Sequence, residues 1–154
     1  MTVATTSVEL PDEAATLELG RRLGAAARAG DVLALHGTLG AGKTTLVHGL
    51  AAALGIVGPV PSPTFVLIRE YTGRLPLAHV DAYRLGGSDE ALAIGLDELL
   101  GGPGVTAVEW AEIVDDLLPA QTLHVHLSTA GAGRRAELRG PELGRWLAGA
   151  GDAA

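Results

Sequence analysis

Cysteine and asparagine are absent from this 154-residue chain, lysine occurs once, and aromatic residues make up only 3% of it. Without cysteine there is no disulfide framework, thiolate metal site or cysteine nucleophile, which fits a reducing compartment. Without asparagine the Asn-Lys-x-Asp motif that reads guanine cannot exist. Positive charge is also scarce, with 11 Lys and Arg against 18 Asp and Glu and a net charge of -7. Nucleic-acid binding rests on clustered Lys and Arg facing phosphates; no such run occurs, so a chain of this kind working on a nucleic acid leaves most of the grip to a partner. Residues 44–68 contain no Asp, Glu, Lys or Arg, long enough to raise a membrane helix. Pro59, Pro61 and Pro63 exclude it, because each lacks the backbone donor and restricts the residue before it. Met1-Thr2-Val3-Ala4 shows no basic flank leading into an apolar block, and a cytoplasmic protein without a membrane segment is expected.

What is present suits one soluble domain over residues 1–154. The chain is 47% hydrophobic and 19% charged, in the globular range, with no internal repeat or linker. The terminal residues 1–6 and 150–154 are expected to be mobile. Asp12 caps an expected helix with Leu19, Leu23 and Ala26 at helical spacing, ending at Gly30. Residues 32–35 read as a buried parallel strand, and residues 43–54 as the helix after it, stopped by Gly55. Residues 65–71 and 75–80 read as a hairpin about Thr72-Gly73-Arg74. Ser88 caps an expected helix to Leu100. Residues 105–108 form another buried strand ending in Glu109 and Trp110. Residues 123–127 and 136–138 flank a Gly-rich turn as a second hairpin, and a last helix spans 142–147. This order predicts an α/β, P-loop NTPase-like three-layer fold with a mixed, mainly parallel sheet flanked by helices.

Between the second helix and the strand before it lies Gly37-Thr38-Leu39-Gly40-Ala41-Gly42-Lys43-Thr44. Glycines at 37, 40 and 42 let the backbone turn several N–H groups into one concavity, which with the helix N-terminus attracts phosphate oxygens. Lys43 brings a mobile positive charge to the terminal phosphates, and the Thr44 hydroxyl suits a phosphate-bound Mg2+. Lys43 is the single lysine of the chain; the other ten basic residues are arginine.

A P-loop protein needs a carboxylate at the end of a neighbouring strand to hold Mg2+ directly or through water. Glu109 meets that description, and Asp81, after Leu77-Ala78-His79-Val80, is a second candidate for orienting water or the metal shell. The plain alternative for each is a solvated strand end. Ser62-Pro63-Thr64-Phe65 occupies the stretch where many P-loop proteins keep a phosphate-sensing switch, with Thr64 as its hydroxyl; a proline-rich turn is the alternative. His79 is read equally well as a core histidine. His36, His48, His124 and His126 have no metal-ligand company in the sequence and are assigned no role.

Four pieces in this order, Leu39-Gly40-Ala41-Gly42-Lys43-Thr44-Thr45, Ser62-Pro63-Thr64-Phe65, His79-Val80-Asp81-Ala82-Tyr83-Arg84-Leu85 and Val108-Glu109-Trp110, closely resemble the TsaE family. The resemblance runs from residue 11 to residue 134. It implies an ATPase of bacterial tRNA threonylcarbamoyladenosine synthesis, in which Gly40, Ala41, Gly42, Lys43, Thr44 and Thr45 wrap the phosphates of ATP. Thr44 and Glu109 would hold Mg2+, Asp81 would serve hydrolysis with Lys43 and Glu109, and Thr64 would belong to the switch. Glu13, Ile113 and Arg134 would touch the rest of the nucleotide, with Arg135 an alternative to Arg134. Thr38 departs from the acidic residue common in the family, at a position where the cradle uses backbone. The resemblance further implies action with TsaD and TsaB on the adenosine beside the anticodon, with tRNA reached only through the complex. Two other readings share the loop: a small-molecule kinase, for which only Arg134-Arg135 resembles a lid, and a nucleotide-gated binding module whose hydrolysis is incidental.

Overall fold

The computed structural model describes residues 4–38, 40–57, 68–83 and 85–151. Seven strands form one sheet in the order β1-β7-β6-β2-β5-β4-β3. They are β1 (Ala4–Leu10), β2 (Val32–His36), β3 (Ile68–Tyr71), β4 (Leu77–Asp81), β5 (Val105–Glu109), β6 (Leu123–Ala130) and β7 (Gly133–Gly140). The central strands β6, β2, β5 and β4 pair in parallel, while β7 and β3 run the other way and pair antiparallel with their neighbours. The sheet is therefore mixed and mainly parallel, as the element order predicts. The uninterrupted burial of β2 and β5 has the physical reason expected for central parallel strands: both faces are covered.

One face carries helices α1 (Glu13–Ala26), α2 (Lys43–Ala53) and α5 (Leu143–Gly151). Leu19 and Leu23 of α1 meet Leu46 and Leu50 of α2 and the strand residues Leu33, Leu35, Val105 and Ala107 in the larger core. Each such leucine contributes about 1.5–3 kcal/mol on burial. Gly20 and Gly49 let α1 and α2 come so close that a Cβ on either would run into the other helix, at Leu46 O and Leu17 O. The opposite face carries α3 (Ser88–Ala93), α4 (Leu96–Leu99) and a 3-10 segment, η1 (Ala111–Leu117). There Ala34, Val80 and Val108, alternating with the residues of the first face, pack with Ala91, Leu96 and Val114. Arg145 anchors α5 through a bidentate pair with Asp31, at 2.8 and 3.1 Å.

Several boundaries differ from the sequence reading. Residues 4–6, expected to be mobile, belong to β1, where Ala4 to Thr6 pair with Gly140 to Leu138 of β7. Their pairing partner lies more than 130 residues away, and the strand is mostly solvent-facing, so no local apolar pattern announces it. Residues 150 and 151 likewise continue α5. The single helix expected from Ser88 to Leu100 is broken, because Gly95 takes a left-handed conformation with φ 85° between α3 and α4. Its cap is Gly87, and the Ser88 hydroxyl instead donates to the Asp116 carboxylate. Helix α1 stops at Ala26, short of Gly30, while its predicted cap forms: Asp12 accepts from Ala15 N at 2.8 Å. Both hairpins occur, the second with longer strands; Thr64 and the rest of residues 58–67 lie outside the described residues.

Candidate functional site

Strand β2 sits in the middle of the sheet and delivers the glycine loop to its carboxyl edge, directly beside β5: Leu35 of β2 is in register with Glu109. Gly40 and Gly42 take φ of 80° and 105°, backbone that a side chain would strain. No side chain caps the N-terminus of α2, which leaves first-turn N–H groups directed to an anion. Thr44 and Thr45 are half-buried in that turn.

Lys43 is the centre of the site. Its side chain folds back so that Nζ donates to Gly37 O at 2.5 Å and lies 3.6 Å from the centre of the Trp110 ring. The residue is 5% exposed. Burial pushes its ammonium below the ordinary lysine value, against the pull of Glu109, Glu112 and Asp81. Trp110 itself takes a left-handed backbone, φ 57°, the single such non-glycine residue among those described. Such strain costs about 1–3 kcal/mol and concentrates at functional sites. It turns the chain out of β5 so that the indole covers the lysine, and Tyr83 packs against the indole with ring centres 4.9 Å apart.

The two carboxylates stand side by side, since Asp81 and Glu109 are in register at the ends of β4 and β5. Glu109 is buried, and His79, fully buried two residues before Asp81, holds Glu109 Oε2 through Nε2 at 2.5 Å. A carboxylate only accepts, so Nε2 carries the proton in this contact; His79 Nδ1 has no partner. Asp81 Oδ1 accepts from Tyr83 N at 2.9 Å, leaving its other oxygen outside that turn.

On the other side of the loop lies a cavity of about 240 Å³ lined by Asp12, Glu13, Thr16, Gly40, Thr45 and Arg134, among others. The strand missed from sequence builds it: β1 pairs with β7 so that Leu10 faces Arg134, and α1 starts immediately afterwards with Glu13. Arg134 donates through Nη2 to Gly40 O at 3.1 Å. Strand alternation decides between the two arginines, because Arg135 points away and pairs with Glu9 at 2.7 Å, both exposed.

The structure thus brings Glu13, Arg134, Gly40, Gly42 and Thr45 around one concavity, and Lys43, Asp81 and Glu109 together at the strand ends. Ile113 belongs to η1, where it is half-buried and packs, like Trp110, against the core of Val80, Val108 and Val114. The grouping of His36, His124 and His126, denied company by the sequence reading, is also corrected by the structure: β2 and β6 are neighbours and stack the three rings. Trp110 and Thr16 are the other residues sequence reasoning left without a role; a tryptophan directly after the strand-end carboxylate was the available signal for the first.

A glycine loop between a central parallel strand and a helix, with carboxylates on the adjacent strand ends, defines a protein of the P-loop NTPase-like α/β class. A family model described as "Threonylcarbamoyl adenosine biosynthesis protein TsaE" matches residues 10–136. The chain belongs to the TsaE family. Among its relatives, the tRNA threonylcarbamoyladenosine biosynthesis protein TsaE of Bacillus subtilis is 46% identical over 126 residues, 81% of this chain and 77% of that protein. The protein of the same name from Streptomyces coelicolor is 48% identical over 117 residues, 73% of this chain and 78% of its own length. The crystal structure of Bacillus subtilis YdiB matches with a TM-score of 0.79 at 37% identity, covering 91% of this chain and 88% of that one. No helix among the described residues is long and apolar enough to cross a membrane.

Proposed function

We propose that this chain is a Mg2+-dependent ATPase that supports N6-threonylcarbamoyladenosine modification of tRNA at the adenosine next to the anticodon, acting with TsaD and TsaB in the cytoplasm. The observation that carries the reading is the placement of Lys43, a buried cation at the mouth of the glycine loop facing the Asp81 and Glu109 carboxylates. The names of the relatives supply the pathway. The residues fit the ligands: the space beside Gly40 is open, with nothing within 4 Å of where a Cβ would stand. The Thr44 hydroxyl and the Glu109 carboxylate are hard oxygen donors of the kind Mg2+ takes.

In this reading the backbone of residues 40–45 cradles the phosphates, and Glu13 and Arg134 flank the rest of the nucleotide. Lys43 exchanges Gly37 O and the Trp110 ring for phosphate oxygens and offsets the charge that develops there. Thr44 and Glu109 would hold Mg2+, which when bound neutralises charge between the terminal phosphates. His79 fixes the Glu109 carboxylate, and Asp81 orients water for in-line attack. Thr64 keeps its proposed place in the switch. The acidic chain leaves tRNA contact to TsaD and TsaB.

The test is ATP hydrolysis by Glu109→Ala with TsaB and TsaD present. A fall of at least about 100-fold is expected, the scale of losing one well-placed electrostatic partner. Undiminished turnover removes Glu109 from the mechanism, and labelled phosphate appearing on an organic acceptor instead of as free phosphate makes the chain a kinase.

A further inference from the structure

We propose that His36, His124 and His126 form a site for one divalent transition-metal ion of the Zn2+ kind, separate from Thr44 and Glu109. Strands β2 and β6 are adjacent and parallel, with Ala34 opposite His124 and His36 opposite His126. The pleat sends all four to one face of the sheet, so three imidazoles gather across a strand boundary. One nitrogen from each lies within 4.8 Å of the others, the single such group among the described residues.

One pair of the three is already close to the spacing an ion requires. His36 Nε2 and His124 Nδ1 are 3.0 Å apart and share a hydrogen bond. Two nitrogens bound at about 2.0–2.1 Å to one tetrahedral Zn2+ stand roughly 3.3 Å apart, so replacing the shared proton by an ion opens this pair by a few tenths of an ångström. His36 and His126 stack with centres 4.3 Å apart and 9° between their planes. Binding therefore also tilts these rings to converge their lone pairs, a rotation that the half-exposed His126 is free to make.

A second observation points to a metal. Glu112 Oε2 of η1 lies 3.3 Å from His36 Nδ1. A ligating histidine characteristically hands its other N–H to a carboxylate, which fixes the tautomer; here that contact leaves Nε2 to the site. Around the rings stand Glu112 and Asp115 of η1 and Glu137 and Arg139 of β7, three carboxylates against one guanidinium. Burial, with the neighbouring His36 and Arg139, holds His124 and His126 below the ordinary histidine value. An all-imidazole set selects Zn2+, Cu2+ or Ni2+ and discriminates against Mg2+. Three ligands leave a fourth position for water.

The experiment is calorimetric titration of the untagged full chain with Zn2+ in millimolar Mg2+. One ion per chain is expected, undisplaced by Mg2+. His124→Ala/His126→Ala weakens binding by at least about 100-fold, and Glu112→Gln by about 10–100-fold, the usual cost of losing such a carboxylate. Equal affinity of the wild type and the double variant, or displacement by Mg2+, overturns the proposal. Should the double variant fail to fold, Co2+ added to the wild type decides: visible bands of a four-coordinate nitrogen site support it, and the spectrum of aqueous Co2+ overturns it. Since neither readout uses ATP, failure here is distinct from failure of the ATPase reading.

Discussion

Lys43 Nζ sits 3.6 Å from the centre of the Trp110 ring, so the cation of the glycine loop is stored against an indole. Such a contact contributes about 2 kcal/mol when desolvated, and in the proposed function nucleotide replaces it. The chain has two tryptophans. Trp146→Phe leaves Trp110 as the sole reporter, and saturating ATP with Mg2+ is expected to change its emission as the ammonium withdraws. Lys43→Ala abolishes the change. An emission spectrum indifferent to ATP would show that the lysine stays where it is.

His79 holds Glu109 at 2.5 Å in full burial. His79→Ala frees the carboxylate to rotate, so the Mg2+ concentration for half-maximal hydrolysis rises by about 10–100-fold, with His79→Gln recovering part of it through its amide donor. An unaltered Mg2+ dependence in His79→Ala, with hydrolysis intact, would make His79 a core residue only.

Arg134 and Arg135 are neighbours that point opposite ways, one to Gly40 O and the other to Glu9. Arg134→Ala removes a charged donor from the cavity and is expected to weaken ATP binding by about tenfold, the worth of one charge-assisted hydrogen bond. Arg135→Ala, which breaks an exposed pair with Glu9, leaves ATP affinity unchanged. Calorimetry on both variants checks the assignment, and the reverse order would exchange the two residues.

The approach of α1 to α2 fixes the loop from behind. A Cβ at Gly20 or Gly49 meets the backbone of the other helix, so Gly20→Ala and Gly49→Ala are each expected to cost about 1–3 kcal/mol in urea unfolding. Gly144→Ala, on the exposed side of α5, has open space around it and is expected to be neutral or to gain up to about 1 kcal/mol. Wild-type stability in Gly49→Ala would mean that the helices can part without loss.

The loop, its strand and its helix were legible in the sequence because a glycine loop between an apolar run and a helix is a local pattern: three glycines within six residues, one lysine and one threonine carry it. Glu109 and Asp81 were legible for a related reason, each closing a short apolar run. Strand β1 was not, since its pairing partner is β7 and its own residues are mostly exposed. The break at Gly95 was hidden by apolar spacing that suits one helix as well as two.

By itself, then, the sequence determined the fold class, the glycine loop and the carboxylates at the ends of β4 and β5, all properties of short segments whose backbone and side-chain chemistry act within a few residues. Tertiary structure alone decided that Arg134 and not Arg135 joins Glu13, that Trp110 covers Lys43, and that His36 meets His124 and His126. Each of these depends on strand order and register, which bring distant residues to one edge or one face and which hydrogen bonding between strands, not local sequence, sets.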